Sequence, residues 1–460
     1  MSDPLNPVIV GAGPAGIRAA EALARHGVRP VVLDEAASCG GQIYRQPPPA
    51  FRRSGASLYG TDARRAAAVH SAMAWALDRV DYRPGTLVWN AEAGALDVFQ
   101  GDRTSTVPYS HLVVATGATD RVLPLPGWTI PGVFALGGAQ VALKYQGCAI
   151  GTRTVFLGTG PLLYMAAYQY AKAGAGVAAV LDTAPFGSKL AATPALLRQP
   201  RILAKGIYYL AWLRAHGVAL HEGVRPVRIL GSRRVAGVIW SDGQRERELA
   251  CDAVGLGYAL RSETQLADIL GCRFTFDPGQ RAFRPEHDAA GRSSVAGVYL
   301  AGDGAGILGA DAAEWAGERA ALALLEDAAV PVDRARAATL ERRLARSAVF
   351  AAGLERAFPL PADWAAGAPD DLVVCRCEEI TAGDLRAAVR DAGAHELNRL
   401  KALTRVGMGE CQGRVCGLAA AEILAHAAGL APEAVGRFRS QAPVKPLPFT
   451  VLGTQPRKPA

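Results

Sequence analysis

The chain has 460 residues, a net charge of +8, half its residues hydrophobic, 51 glycines and eight cysteines. Only seven of its 50 basic residues are lysines, and no run of five or six like charges occurs, so no nucleic-acid patch is expected. The two longest uncharged stretches, 154–171 and 122–143, are broken by Gly-Thr-Gly-Pro and by Pro124, Pro126 and Pro131, short of the roughly 20 apolar residues a membrane span needs.

The N-terminus opens on a strand, Val8-Ile9-Val10, with no charged-then-apolar leader ahead of it, so a cytoplasmic, reducing setting is expected, with peripheral attachment to the inner face of the membrane as an alternative. The strand runs into Gly11-Ala12-Gly13-Pro14-Ala15-Gly16, an alanine-rich helix ending near His26, a second strand Val31–Leu33, and the acids Asp34 and Glu35. In such a unit the first glycine makes the tight turn, the second admits a pyrophosphate and the third lets helix and strand pack closely. The helix N-terminus attracts the phosphates, and Asp34 is placed to accept from ribose hydroxyls.

Three later segments favour FAD as the dinucleotide. Gly40-Gly41-Gln42 can bring backbone against a flavin. An apolar strand from His111 ends in Ala115-Thr116-Gly117, and another from Val298 ends in Gly302-Asp303 before a long helix. These segments resemble the flavoproteins with two dinucleotide-binding domains, the group that includes glutathione and thioredoxin reductases. The resemblance implies that Asp303 holds the ribityl chain and that the FAD domain is split by an insertion.

The insertion repeats the motif: Thr154–Leu157, Gly158-Thr159-Gly160, a helix to about Ala173, a strand Val177–Leu181 and Asp182. Leucine, Leu163, stands where the third glycine is expected, so Gly158, Gly160 and Asp182 could hold NAD(P), hold another adenine nucleotide, or keep only the fold. Cys39, Cys148, Cys251 and Cys272 are isolated, which argues against disulfide reduction. No histidine, His26 and His70 included, sits in a catalytic motif, so the catalytic acid or base is unknown.

The last quarter carries Cys375-Arg-Cys377 and, after 33 residues, Cys411-Gln-Gly-Arg-Val-Cys416. Four thiolates suit zinc or an iron–sulfur cluster, and a C-x-C pair is less typical of zinc. Thr381 and Asp384 fit a capping box opening a short helix; further helices are expected over about 396–405 and from Cys416 to Gly429. The segment resembles the [2Fe–2S] domain of bacterioferritin-associated ferredoxin, whose second pair is usually C-x2-C. With Gly40-Gly-Gln-Ile-Tyr-Arg45, Pro126-Gly-Trp-Thr-Ile-Pro-Gly132 and Leu163, the C-x4-C variant is similar to the A subunit of opine oxidases and the B subunit of hydrogen cyanide synthase.

The expected architecture is α/β: an FAD domain over 1–145 and 281–345, an inserted NAD(P)-binding-like domain over 146–280, a linker over 346–371, a small helical [2Fe–2S] domain over 372–432, and an extended tail over 433–460, either packed on another subunit or mobile. The resemblance implies a heteromeric dehydrogenase that oxidises the C–N bond of an opine, glycine or proline derivative. A second, D-amino-acid-oxidase-like flavin subunit would handle the substrate, and electrons would pass from flavin to cluster to a quinone or carrier protein. The alternatives are a stand-alone NAD(P)H-dependent reductase and a non-enzymatic flavoprotein scaffold with structural zinc.

Overall fold

The computed structural model describes residues 5–51 and 53–448. Short apolar strands, buried on both faces as parallel sheets require, build two five-stranded sheets. In the first, strands Val298–Leu300, His111–Val114, Pro7–Val10, Val31–Asp34 and Asp81–Pro84 lie side by side, all parallel. In the second, the order is Ala219–Glu222, Val177–Asp182, Thr154–Thr159, Ala253–Tyr258 and Val133–Ala135, again all parallel. The two glycine motifs therefore occupy equivalent places at the carboxyl ends of central strands. An antiparallel ribbon, Ala118–Asp120 with Leu260–Ser262, joins the two halves.

In the first half, helix Pro14–Arg25 packs against helix Ala310–Asp327. The approach is so close that a Cβ on Gly317 would lie 1.9 Å from the carbonyl oxygen of Ala15. Arg18 and Glu314 pair at 2.7 Å across the seam. Fully buried Ile17 and Leu23 each contribute about 1.5–3 kcal/mol to this packing.

Helix Arg334–Ala357 runs past the expected end of the second FAD segment. It packs on helix Phe186–Leu196 of the inserted domain, with Gly353 against Ala195. The stretch from 346 to 357 is therefore structural helix, and what remains of the linker is also tied down: Trp364 Nε1 donates to the Pro124 carbonyl at 2.8 Å.

The C-terminal domain consists of a two-strand ribbon and three helices, Ala382–Ala392, Leu397–Thr404 and Gly417–Ala428. Both capping-box bonds are made: Thr381 Oγ1 accepts from Asp384 N, and the Asp384 carboxylate accepts from Thr381 N. The core of this domain is continuous with that of the inserted domain. The tail after Arg437 is not loose as far as it is described. It lies along its own chain, with Val444 N donating to Trp89 O at 2.9 Å and Asp268 clamping Arg437 at 2.6 Å and Ser440 N at 2.6 Å. The part of the tail beyond residue 448 falls outside the described residues.

Asp268 is buried. Burial alone would raise its pKa, but the bonds from Arg437 and Ser440 hold it below the ordinary 3.8. A carboxyl depressed in the fold stabilises it above the ordinary value and loses that contribution as pH falls through the lowered one. The tail is expected to stay protected from exchange at pH 5–8 and to open only below about pH 4. Asp268→Ala is expected to free it at neutral pH, at a cost of about 3 kcal/mol, readable by hydrogen exchange over residues 437–446.

Candidate functional site

The FAD cradle forms where three strand ends of the first sheet meet. Gly11 has φ +103°, and a Cβ there would lie 2.4 Å from Ala115 O; a Cβ on Gly16 would lie 1.7 Å from Gly11 O. Gly13 faces Gly41, whose Cβ would lie 2.9 Å from the Gly13 Cα. Both turns thus leave a backbone-lined concavity that side chains would fill. Pro14 and Ala15 open the helix whose N-terminus points into it.

Asp34 lines this concavity with a carboxylate that also holds the loop. Its Oδ2 accepts from Ala12 N at 2.5 Å and its Oδ1 from Ala36 N at 2.7 Å, so it staples the glycine loop to the end of the second strand. Glu35 stands on the rim, ion-paired to Lys445. Opposite, Asp303 Oδ1 accepts from Leu308 N and Gly309 N at 3.2 and 3.1 Å, and burial raises its pKa. Among the described residues its Oδ2 has no partner, so the half-buried acid fits a hydroxyl-bearing ligand. Gln42, Thr116, Gly117 and Gly302 line the same cleft.

That cleft has a volume of about 1670 Å3. It runs from the cradle towards the inserted domain on one side and reaches Cys377, Cys411 and Arg414 on the other. The four thiols form a chain of contacts, Cys375 to Cys416 to Cys411 to Cys377. The Cys416 contact, then backbone N–H groups of Gly407, Glu378 and Cys377, lower the Cys375 thiol to about 6. The Cys416 contact and the N–H groups of Val415 and Gly413 likewise lower Cys411 to about 5. Thiolate character at two positions, with amides aimed at sulfur, suits a multi-iron cluster. Gly409 is obligatory here, since a Cβ on it would lie 2.2 Å from that of Cys377.

The second dinucleotide motif has a different fate. Gly158 and Gly160 keep φ values of +136° and +111°, and a Cβ on Gly158 would lie 1.8 Å from Gly257 O. Leu163 is fully buried against Leu136 and Phe156. Asp182, expected to meet a ribose, is sealed instead. Its Oδ1 accepts from Thr159 Oγ1 at 2.8 Å and Ala184 N at 2.9 Å; its Oδ2 accepts from Tyr164 OH and Lys189 Nζ, both at 2.7 Å. Lys189 also pairs with Glu222. The ribose-binding role of Asp182 is thereby corrected: all its acceptor sites are taken by the chain itself. NADH is accordingly expected to leave the bound flavin oxidised on the turnover timescale, checked by stopped-flow absorbance. Asp182→Asn is expected to cost about 1–3 kcal/mol of stability, because an amide cannot accept all four bonds that the carboxylate takes from Thr159, Ala184, Tyr164 and Lys189, while Lys189 keeps Glu222, with no change towards NADH.

Arg414, Glu263, Lys189, Tyr164 and Glu222 belong to no recognisable motif, and sequence reasoning misses them. Arg414 lies inside the C-x4-C loop, but Glu263 is 151 residues away and nothing near it signals its partner. His70 and His26 bond to the carbonyls of Tyr44 and Ala22, as structural residues do.

A glycine-lined dinucleotide cradle and two cysteine loops, with Cys377 and Cys411 on the same cleft, define a flavin and iron–sulfur oxidoreductase. Residues 6–353 match the family described as pyridine nucleotide-disulphide oxidoreductase, and residues 373–426 match the BFD-like [2Fe-2S] binding domain. The chain belongs to that oxidoreductase family and carries that domain at its C-terminal end, so its cofactors are FAD and a [2Fe–2S] cluster. It is 38% identical to the A subunit of opine oxidase from Agrobacterium tumefaciens, over 99% of this chain and 93% of that protein. It is 36% identical to the hydrogen cyanide synthase subunit HcnB of Pseudomonas aeruginosa, over 98% and 99%. The L-proline dehydrogenase of P. horikoshii shares the fold with a TM-score of 0.71 at 19% identity, covering 97% of this chain and 79% of that one. Among the described residues no helix is long and apolar enough to cross a membrane.

Proposed function

We propose that this chain is the electron-handling subunit of a heteromeric amine dehydrogenase. The observation that carries the reading is the single cleft shared by the FAD cradle and by Cys377 and Cys411, in a chain similar over nearly its full length to the A subunit of opine oxidase and to HcnB. The substrate class is a secondary or primary amine of amino-acid type: an opine, glycine or a proline derivative. Its C–N bond loses two electrons and two protons to become an imine, and in the opine case water then splits the imine into a keto acid and an amine.

FAD supplies two-electron chemistry and the cluster one-electron chemistry. The chain's residues do the holding. Gly11, Gly13 and Gly16 shape the pyrophosphate site at the N-terminus of helix Pro14–Arg25, Asp34 with Glu35 beside it offers a carboxylate to the adenosine ribose, and Asp303 offers Oδ2 to the ribityl chain. Gly41, Gln42 and the Ala115–Gly117 turn flank the flavin. Cys375, Cys377, Cys411 and Cys416 hold the cluster. The amine itself is oxidised on a second, D-amino-acid-oxidase-like flavin subunit, with a quinone or carrier protein as final acceptor.

A surface feature supports the need for a partner. Phe186, Leu190, Ile202 and Ile207 are exposed on helices Phe186–Leu196 and Pro200–Ala215 and line the cleft, and Leu197 and Tyr208 are exposed on the same segment. Helices apolar on their solvent side as well as their buried side are normally covered. Residues 183–221 include no acid, so the partner face should be apolar with an acidic rim. The test is to purify the chain together with its partner and screen amines with an artificial acceptor. Turnover is expected from the complex and not from this chain alone, and Leu190→Glu with Ile207→Glu is expected to dissociate it. Turnover by the isolated chain would refute the two-subunit reading.

A further inference from the structure

The loop between Cys411 and Cys416 does more than supply ligands. Arg414, within it, grips Glu263 with two bonds, Nε to Oε2 at 2.6 Å and Nη2 to Oε1 at 3.3 Å. Both side chains are about nine-tenths buried, exposed by 13% and 11%. Glu263 follows directly on the ribbon joining the two halves of the molecule, and its backbone is locked to the flavin turn. Its N–H donates to Gly117 O at 2.9 Å, and its carbonyl accepts from Thr116 Oγ1 at 2.8 Å.

Two further bonds run in parallel. Arg261 Nη1 donates to Arg414 O at 3.2 Å, and Gln265 Nε2 donates to Gln412 O at 2.8 Å. Arg414 Nη1 in turn holds Val444 O at 2.7 Å and reaches Cys411 O at 3.4 Å. The contacts from Thr116 and Gly117 to the Cys411 loop thus pass through this ion pair and the two bonds beside it. Four residues between the cysteines, instead of the two of the usual C-x2-C ending, give the loop the reach to present Arg414 outward.

We propose that Arg414 and Glu263 are a positioning pair that docks the cysteine loop onto the flavin turn, and that the buried Arg414 cation raises the reduction potential of the cluster while Glu263 offsets it. The electrostatic part follows from burial. Charges shielded from water act strongly on one another, and a cluster that gains an electron becomes more negative beside a fixed cation. This rests on the reading of the chain as a flavin-to-cluster carrier.

The test uses the full chain with its cofactors, an EPR-monitored redox titration, and hydrogen exchange over residues 259–270. Arg414→Met is expected to lower the cluster potential and Glu263→Gln to raise it, while both increase exchange at the docking segment. Arg414→Lys, which keeps the charge and loses the fork, is expected to hold the potential near the parent value and still loosen the segment. Opposite shifts from the two halves of one ion pair are a signature that mere loss of packing does not produce. Potentials that stay put, or that move in the same direction in both variants, with the cluster intact, would overturn the proposal and leave the carrier reading standing. A parent protein that binds no reducible cluster would overturn both.

Discussion

Gly16→Val is expected to give a chain that folds poorly and purifies without FAD. The position has no room: a Cβ would lie 1.7 Å from Gly11 O and 3.3 Å from the Ile9 side chain. Valine adds two further carbons, so helix Pro14–Arg25 must lift off its strand and its N-terminus must leave the pyrophosphate site. Overpacking of this kind costs about 1–3 kcal/mol. Losing a ligand present at a thousand times its dissociation constant costs about 4 kcal/mol more. Together these correspond to a fall in melting temperature on the order of 10–20 °C, with colourless protein by absorbance. Gly187→Ala is the control: a Cβ there meets nothing within 4 Å, in helix Phe186–Leu196, so it is expected to leave FAD in place and to stabilise slightly.

The second large effect falls on the other cofactor alone. Cys416→Ser is expected to bring iron and labile sulfide to background while FAD stays bound. Cys416 is buried at the start of helix Gly417–Ala428, touching both Cys375 and Cys411, so its loss breaks the chain of thiols in the middle. Loss of an outer-shell partner already costs 10–100-fold in metal affinity. Loss of a ligand is therefore expected to cut transfer to a one-electron acceptor by more than about 100-fold. Cys148→Ser, at an exposed and isolated thiol, is expected to change neither iron content nor rate. Equal iron in Cys416→Ser and the parent chain would remove Cys416 from the ligand set.

These two sites differ in how far they are legible in the sequence. The FAD cradle can be read because its requirements are local. Gly11, Gly13 and Gly16 recur at fixed spacing within six residues of chain, although the backbone that crowds Gly11 and Gly13 comes from Ala115 and Gly41, and the strand, turn and helix around them have their own signals. The capping box of Thr381 and Asp384, and helices close to 382–392, 397–404 and 417–428, are readable for the same reason. Asp34 is legible as the acid after the second strand, but its bonds from the backbone amides of Ala12 and Ala36, which tie the glycine loop to that strand, are visible only in the fold.

Asp182 shows the limit more sharply. Its spacing from Gly158 matches the first unit, yet Lys189 and Tyr164 close over it. Neither residue belongs to the dinucleotide fingerprint, so nothing in the spacing announces that the site is filled from within. Helix Arg334–Ala357 extends into the expected linker because its inner face packs on the inserted domain, a tertiary effect absent from local composition. The pairing of Glu263 with Arg414 is of the same kind, a contact between segments 151 residues apart.

The central claim is that electrons taken from an amine reach the cysteine cluster of this chain through the flavin beside it. The most direct measurement is an anaerobic titration of the purified complex with its amine substrate, following flavin absorbance and the EPR signal of the cluster together. Bleaching of the flavin accompanied by a reduced [2Fe–2S] signal, with the EPR signal lost in Cys416→Ser while the flavin still bleaches, is the predicted result. A fully reduced flavin beside a cluster that stays oxidised would contradict the account.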